Sequence, residues 1–297
     1  MEPWIAEIVG HSIDAFPSGE FDVVAAFCDE VPIKVIATLM GVPVDDHVQF
    51  KHWADERTVL ITGKGRPGSS DDSNRWVAAE QANRQLLDYF LAQAKARRAQ
   101  PIDDLITDIT EANAHDDAAS DSVIAGTCAL LLTAGNVTTT HLLANMLALL
   151  ADNPTIYQRV REDRSLIPAV VEEVLRLESP VQWLYRRTTQ VANLSGVTMP
   201  EGASVIVYFG AANRDPEAYE NPDWFELGNH AGGRHAAFGH GIHFCIGAPL
   251  ARLEAVIALR TIADRFSSLS RDPLHCLRAS RSATQLGYEH LSMRFEA

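Results

Sequence analysis

The chain has 297 residues, 46% hydrophobic and 22% charged, enough for one large core or two modest domains and not the composition of a disordered protein. A formal net charge of −14 leaves no broad basic face, which argues against a nucleic-acid partner. Met1-Glu2-Pro3-Trp4 is not a secretory leader pattern, the most apolar stretch (Val123 to Ala151) is broken by polar residues, and Cys28, Cys128, Cys245 and Cys276 are widely spaced, so the sequence reads as soluble, cytoplasmic and free of membrane partners.

The first part of the chain reads mostly as helix, with Val31 to Met40 apolar at helical spacing before the turn Gly41-Val42-Pro43. Gly63 to Asn74 is a polar break. It carries a GxGxxG match at Gly63, Gly65 and Gly68, but no strand leads into it and Pro67 sits inside it, so a phosphate cradle is not expected. Helical patterns follow from Arg75 to Arg98 and from Pro101 onward. A polar stretch, His115 to Ser122, leads into a helix of about thirty residues ending at Asn153-Pro154, with Ser120 or Asp121 as cap; apolar nearly all round, it should cross the core. Pro168 to Glu178 is a short amphipathic helix. Arg186 to Val207 alternates like strands, with turns at Ser195-Gly196 and Pro200-Glu201-Gly202. A turn-rich region runs from Asn213 to Gly241, a last helix from Ala248 to Phe266, and the tail is strand-like. The fold class is mainly α with a small β-sheet, in a single domain over 1–297.

The residues Phe238-Gly239-His240-Gly241-Ile242-His243-Phe244-Cys245-Ile246-Gly247 form a glycine-rich loop ending in a cysteine just before a helix. A helix N-terminus stabilises a thiolate, and glycines let the backbone approach the sulfur and a flat cofactor closely. Two other readings stand beside this one: a buried structural cysteine, and a Cys/His metal site, although no second cysteine lies at metal-ligand spacing. His235, His240, His243, Arg234 and Arg252 together suggest a local basic patch where an acidic electron-transfer protein docks.

This loop, with Ala248-Pro249-Leu250-Ala251-Arg252-Leu253-Glu254 after it, resembles the haem-binding signature of bacterial-type cytochromes P450. Glu173 and Arg176 resemble the family's Glu-x-x-Arg pair, Ala212 to Pro216 the segment after it, and Ala134-Gly135-Asn136-Val137-Thr138-Thr139 its oxygen-binding stretch. The resemblance implies haem b held by Cys245 as thiolate, with Phe238 packed near the sulfur and Gly241 and Gly247 shaping the loop. It implies that His243 and one of Arg186 or Arg187, with the count back from Leu194 favouring Arg186, bind the haem propionates and that Ala134, Gly135 and Thr138 form the oxygen site, Gly135 and the threonine opening a groove in the helix. Thr138 bonding only the carbonyl of Ala134 is the plainer alternative. Glu173 and Arg176 would form a buried structural pair, and Val181 to Tyr185 with Thr284 to Tyr288 would line the pocket. The implied reaction is insertion of one oxygen atom from dioxygen into a small organic substrate, with electrons from NAD(P)H through a ferredoxin-type partner.

Three departures qualify that reading. Val137 stands where the family usually carries an acid, so proton delivery falls to Thr138, waters or a substrate group. After Trp224 to Gly228 come Asn229 and His230 where the family's network has an arginine, with Arg234 the nearest substitute. About a hundred residues that precede Glu2-Pro3-Trp4 in the family have no counterpart here, so the fold is expected to be N-terminally incomplete, poor in solubility or haem occupancy, and weak in turnover. A non-catalytic remnant and a peroxide-using haem-thiolate enzyme are the alternatives to the monooxygenase.

Overall fold

The structure is a computed structural model describing residues 1–62, 73–113, 121–227, 235–279 and 283–297. The GxGxxG match, Ser120, Asn229, His230 and Arg234 lie outside the described residues. In chain order come α1 (Glu2–Asp14), β1 (Glu20–Asp22), α2 (Glu30–Leu39), α3 (His47–Thr62), α4 (Ser73–Ala99), α5 (Leu105–Ala112), α6 (Asp121–Asp152), α7 (Pro154–Glu162) and α8 (Ile167–Leu177). Strands β2 (Trp183–Arg187), β3 (Ala192–Leu194), β4 (Val197–Met199) and β5 (Ser204–Tyr208) follow, then α9 (Phe209–Ala212), α10 (Ala248–Arg265), β6 (Ser268–Arg278) and β7 (Tyr288–Glu296).

Helix α6 is apolar all round because it serves two cores. Its first half, from Ile124 to Leu132, packs with Ile36 and Met40 around α2, Phe50 and Trp53 of α3, and Leu86 and Phe90 of α4. Its second half, from Leu142 to Leu150, packs with α1, α7, α8, α10 and the β6–β7 pair. The helix has the length and composition to cross a membrane, but half of its most apolar window is buried inside the protein. A helix lacking a polar face is a core helix in this setting.

The expected small sheet is divided into three antiparallel pieces: β1-β7-β6, β2-β5 and β3-β4. Strands start three residues earlier than the alternation suggests, at Trp183, and end at Tyr208. The β3–β4 hairpin closes at Ser195 (φ 49°) and Gly196 (φ 81°), two left-handed residues in succession, as a tight two-residue hairpin turn requires. β1 was not foreseen. It pairs Glu20 to Asp22 with Ser292 to Arg294, and the rings of Phe16, Phe21 and Phe295 meet at centroid distances of 4.9–5.6 Å beside it. Before α5, Asp104 accepts from the Thr107 amide at 2.7 Å with one oxygen and pairs with Arg97 through the other, the capping arrangement that starts a short helix.

Candidate active site: a cysteine groove beside the long helix

Cys245 sits between the glycine loop and the first turn of α10. Its amide donates to the carbonyl oxygen of Phe238 at 2.9 Å, and the Phe244 amide donates to Gly241 at 3.0 Å, closing the loop on itself. Gly239 (φ 72°) and Gly241 (φ 68°) hold left-handed conformations that a side chain would strain. Pro249 opens α10 where a missing amide costs nothing. Cys245 is exposed, whereas Cys28 and Cys128 are buried and Cys276 is half-buried. Burial pushes the Cys128 thiol up to about 12 and the Cys28 thiol up as well, so neither is a thiolate at neutral pH.

The thiol opens onto a groove of about 230 Å³ whose other wall is α6, presented through Ala134, Thr138, Thr139 and Leu142. Phe238, Arg186 and His243 line the same groove, as do Val181 and Leu184. Thr138 donates its hydroxyl to the carbonyl of Ala134 at 2.7 Å, so the plainer alternative holds for this hydroxyl as it stands. Gly135 is turned away: a Cβ there would meet Ile36 at 3.7 Å, an ordinary contact, and α6 runs through it as unbroken helix. The glycine therefore does not open the groove; the small side chain of Ala134 and the threonines border it.

Val137 also faces away, into a separate cavity of about 150 Å³ shared with Asp29, Lys51, Asp55 and His141. Gln285 and Tyr288, expected along the cysteine groove, line this second cavity instead. A helix turns about 100° per residue, so Val137 and Thr138 look toward different neighbours. Tyr185 is exposed, and of the stretch from Val181 to Tyr185 only Val181 and Leu184 border the groove.

Glu173 and Arg176 are 4% and 1% exposed and form a bidentate pair at 2.7 and 2.9 Å. The remaining guanidinium hydrogens go to the backbone carbonyls of Asn213 (2.9 Å), Pro222 (2.6 Å) and Trp224 (2.9 Å), and the cation lies 4.9 Å from the Tyr219 ring centre. One buried cation thus ties α8 to the turn-rich segment, and the desolvation of both charges is offset by saturated hydrogen bonding. The expected basic patch takes a different form. His235 and Arg252 turn inward onto Glu172, a residue the sequence reading passed over, leaving His240 and His243 exposed.

A thiol, apolar walls and two cationic or donor side chains around one groove fit a flat apolar macrocycle that carries carboxylates and a metal. A zinc-type site does not fit. Among the described residues, the cluster of His, Cys, Asp or Glu groups close enough to share a metal is Glu20, Asp272 and His275, beside β1 and away from Cys245.

Comparison with known proteins agrees. The cytochrome P450 family profile matches residues 69–275. The chain is 38% identical over 270 residues to cyclomarin C epoxidase CymV of Salinispora arenicola, covering 91% of this chain and 67% of that protein. It is 35% identical to cytochrome P450(MEG) of Priestia megaterium, covering 100% of this chain and 71% of that one. The crystal structure of P450BioI in complex with acyl carrier protein superposes with a TM-score of 0.91 at 32% identity, over 99% of this chain and 74% of that chain. The chain belongs to the cytochrome P450 family, in its bacterial type. Membership implies haem b as the cofactor. The chain spans roughly two thirds of the length of the curated relatives it matches.

Proposed function

We propose that this protein is a haem-thiolate monooxygenase that inserts one oxygen atom from dioxygen into a small, largely apolar organic substrate. Its electrons would come from NAD(P)H through a ferredoxin-type partner, and it would work as a soluble cytoplasmic enzyme. The observation that carries this reading is the convergence of Cys245, of Arg186 and His243, and of the Thr138 face of α6 on one groove.

In this reading Cys245 would hold the haem iron through its thiolate. The N-terminal end of α10 and the glycine loop would stabilise its negative sulfur. Arg186 and His243 hold the propionates by charge-assisted hydrogen bonds. Haem, when bound, supplies the redox iron at which dioxygen is reduced, and a thiolate ligand pushes electron density toward that chemistry. Val181 and Leu184 orient an apolar substrate and exclude water from the groove. Thr138 holds a proton at Oγ1; released from the Ala134 carbonyl, that hydroxyl can donate into the groove and take a replacement proton from water. Glu173 and Arg176 keep the turn-rich segment, and with it the cysteine loop, in place.

One observation favours a second reading, a peroxide-using enzyme. Among the described residues no carboxylate lines the groove, and the position next to Thr138 on the chain, Val137, faces elsewhere. Peroxide brings protons and electrons with the oxygen and needs less relay. The reduced carbon monoxide spectrum of haem-loaded protein tests the ligand assignment, a thiolate-type band being the expected result. Turnover of apolar substrates with NAD(P)H, ferredoxin and its reductase, compared with turnover by peroxide alone, separates the two enzymes. Absence of both activities in fully loaded protein would overturn both.

A further inference from the structure

The segment leading into the cysteine loop is held by side chains that the mechanism above leaves unused. Arg252 of α10 donates from Nε to one oxygen of Glu172 at 2.6 Å and from Nη2 to the other at 2.9 Å, a forked pair. The same carboxylate lies 3.1 Å from Nε2 of His235. Because Nδ1 of that ring accepts the Ala237 amide at 3.2 Å, the ring proton belongs on Nε2, which then donates to Glu172. Burial by itself would raise the Glu172 pKa, but the hydrogen bonds from His235 and Arg252 and the charge of Arg252 outweigh it and hold the carboxyl down at about 2.

The grip extends along four consecutive residues. His235 is held by Glu172; the Ala236 amide donates to Asn213 Oδ1 at 2.6 Å; the Ala237 amide is held by His235; and the Phe238 ring lies under the Arg252 guanidinium at 4.5 Å. Phe238 then hands the constraint on, since its carbonyl accepts the Cys245 amide at 2.9 Å. The hydrogen bond to Glu172 first, and the charge of Glu172 and the nearby Cys245 sulfur after it, favour the charged form of Arg252. Two adjacent carboxylates of α8 therefore point to different tasks: Glu173 ties down the turn-rich segment, and Glu172 ties down the entry to the cysteine loop.

We infer that Glu172 is a positioning residue for the Cys245 sulfur, acting through Arg252 and His235 to fix the backbone from which the thiolate is presented to the groove. The inference rests on Cys245 being the haem ligand. Side chains behind a ligand residue orient its donor atom and tune its donation without touching the metal.

The experiment compares Glu172→Gln, Glu172→Asp and Arg252→Lys with the wild type. In haem-loaded protein, well below the thermal midpoint, Glu172→Gln is expected to lose about half or more of the thiolate-type band per haem and to shift the reduction potential, with Glu172→Asp restoring both. Arg252→Lys keeps the charge but cannot fork, and should fall between. In haem-free protein, amides of peptides covering 235–245 should exchange about tenfold faster in Glu172→Gln, while those of 213–224 stay unchanged. Wild-type bands, potentials and exchange in both Glu172→Gln and Arg252→Lys would overturn the inference. A wild type lacking the thiolate-type band would overturn the ligand assignment instead, and the exchange result would still decide whether the clamp exists.

Discussion

Gly287 packs against the imidazole of His141: a Cβ added at Gly287 would fall 2.0 Å from Nδ1 and 2.2 Å from Cγ of that ring. His141 is buried in α6, and Asn145 one turn later donates to the carbonyls of Glu178 (2.9 Å) and Leu286 (3.1 Å). The approach to β7 is therefore pressed onto α6 by a ring and pinned to it by an amide. Gly287→Ala should destabilise by about 1–3 kcal/mol through overpacking. Adding His141→Ala should recover much of that loss, because the two side chains compete for one space. Thermal midpoints of the two single variants and the double variant give the coupling; strictly additive losses would mean the clash is relieved elsewhere.

Among the four cysteines, Cys245 and Cys276 are the accessible ones, and only Cys245 faces the groove. Alkylation of native, haem-free protein should label these two and spare Cys28 and Cys128. Haem loading should then protect Cys245 and leave Cys276 reactive. Cys245→Ser should abolish the thiolate-type carbon monoxide band, and serine at the other three positions should preserve it. A Cys276 that gains protection while Cys245 stays reactive would contradict the assignment.

Arg176 satisfies one carboxylate and three backbone carbonyls from a site that is 1% exposed. Arg176→Ala leaves a buried Glu173 without its cation and should cost about 3–5 kcal/mol. Arg176→Lys should recover only part, since a single ammonium cannot span the fork and the carbonyls together. Chemical denaturation of the three proteins measures it, and a lysine variant as stable as wild type would show that charge alone matters.

Two buried groups give stability opposite dependences on pH. Glu254 is buried on α10 with Oε2 unpartnered among the described residues, and burial raises its pKa from 4.5 to about 8. The folded state therefore holds a proton that the unfolded chain has lost, and stability falls as pH rises from 4.5 to 8. Burial lowers the His141 pKa from 6.5 to about 4, so that group's contribution rises with pH between those values and is lost on acidification. The slopes oppose each other below pH 6.5, and above it only Glu254 of these two still titrates. The thermal midpoint should drop between pH 6.5 and 8, and Glu254→Gln should flatten the drop by an amount equivalent to a few kcal/mol. An unchanged slope in that variant would place the titration elsewhere.

Much of this architecture is written locally. The long apolar run of α6, the three-residue spacing of Glu173 and Arg176 and the turn at Ser195-Gly196 are each set by near neighbours in sequence, and the structure shows a core helix, a buried pair and a hairpin turn at those positions. What stayed hidden depends on distant partners. Glu172 and Glu173 are identical in type, and only the packed positions of Arg252 and Arg176 decide which carboxylate serves the loop and which the turn-rich segment. Whether Val137 or Thr138 meets the groove depends on how α6 is rotated against α2, α3 and α8. Gln285 and Tyr288 follow from the same rotation. β1 is three residues long, too short for any alternation to register, and its partner lies near the other end of the chain.

That last pairing governs the order in which the molecule can be completed. Asp22 accepts the Leu291 amide across 269 residues of chain. At synthesis rates of roughly 5–20 residues per second, β1 and the phenylalanines beside it wait on the order of 10–50 s before β7 leaves the ribosome. During that interval Phe16 and Phe21 have no Phe295 to meet, and β1 offers unpaired backbone to any neighbouring strand. The emerging chain thus keeps that strand and those rings exposed through most of its translation, and cooling or slowing its synthesis lengthens the exposure that a fast-closing local fold would avoid.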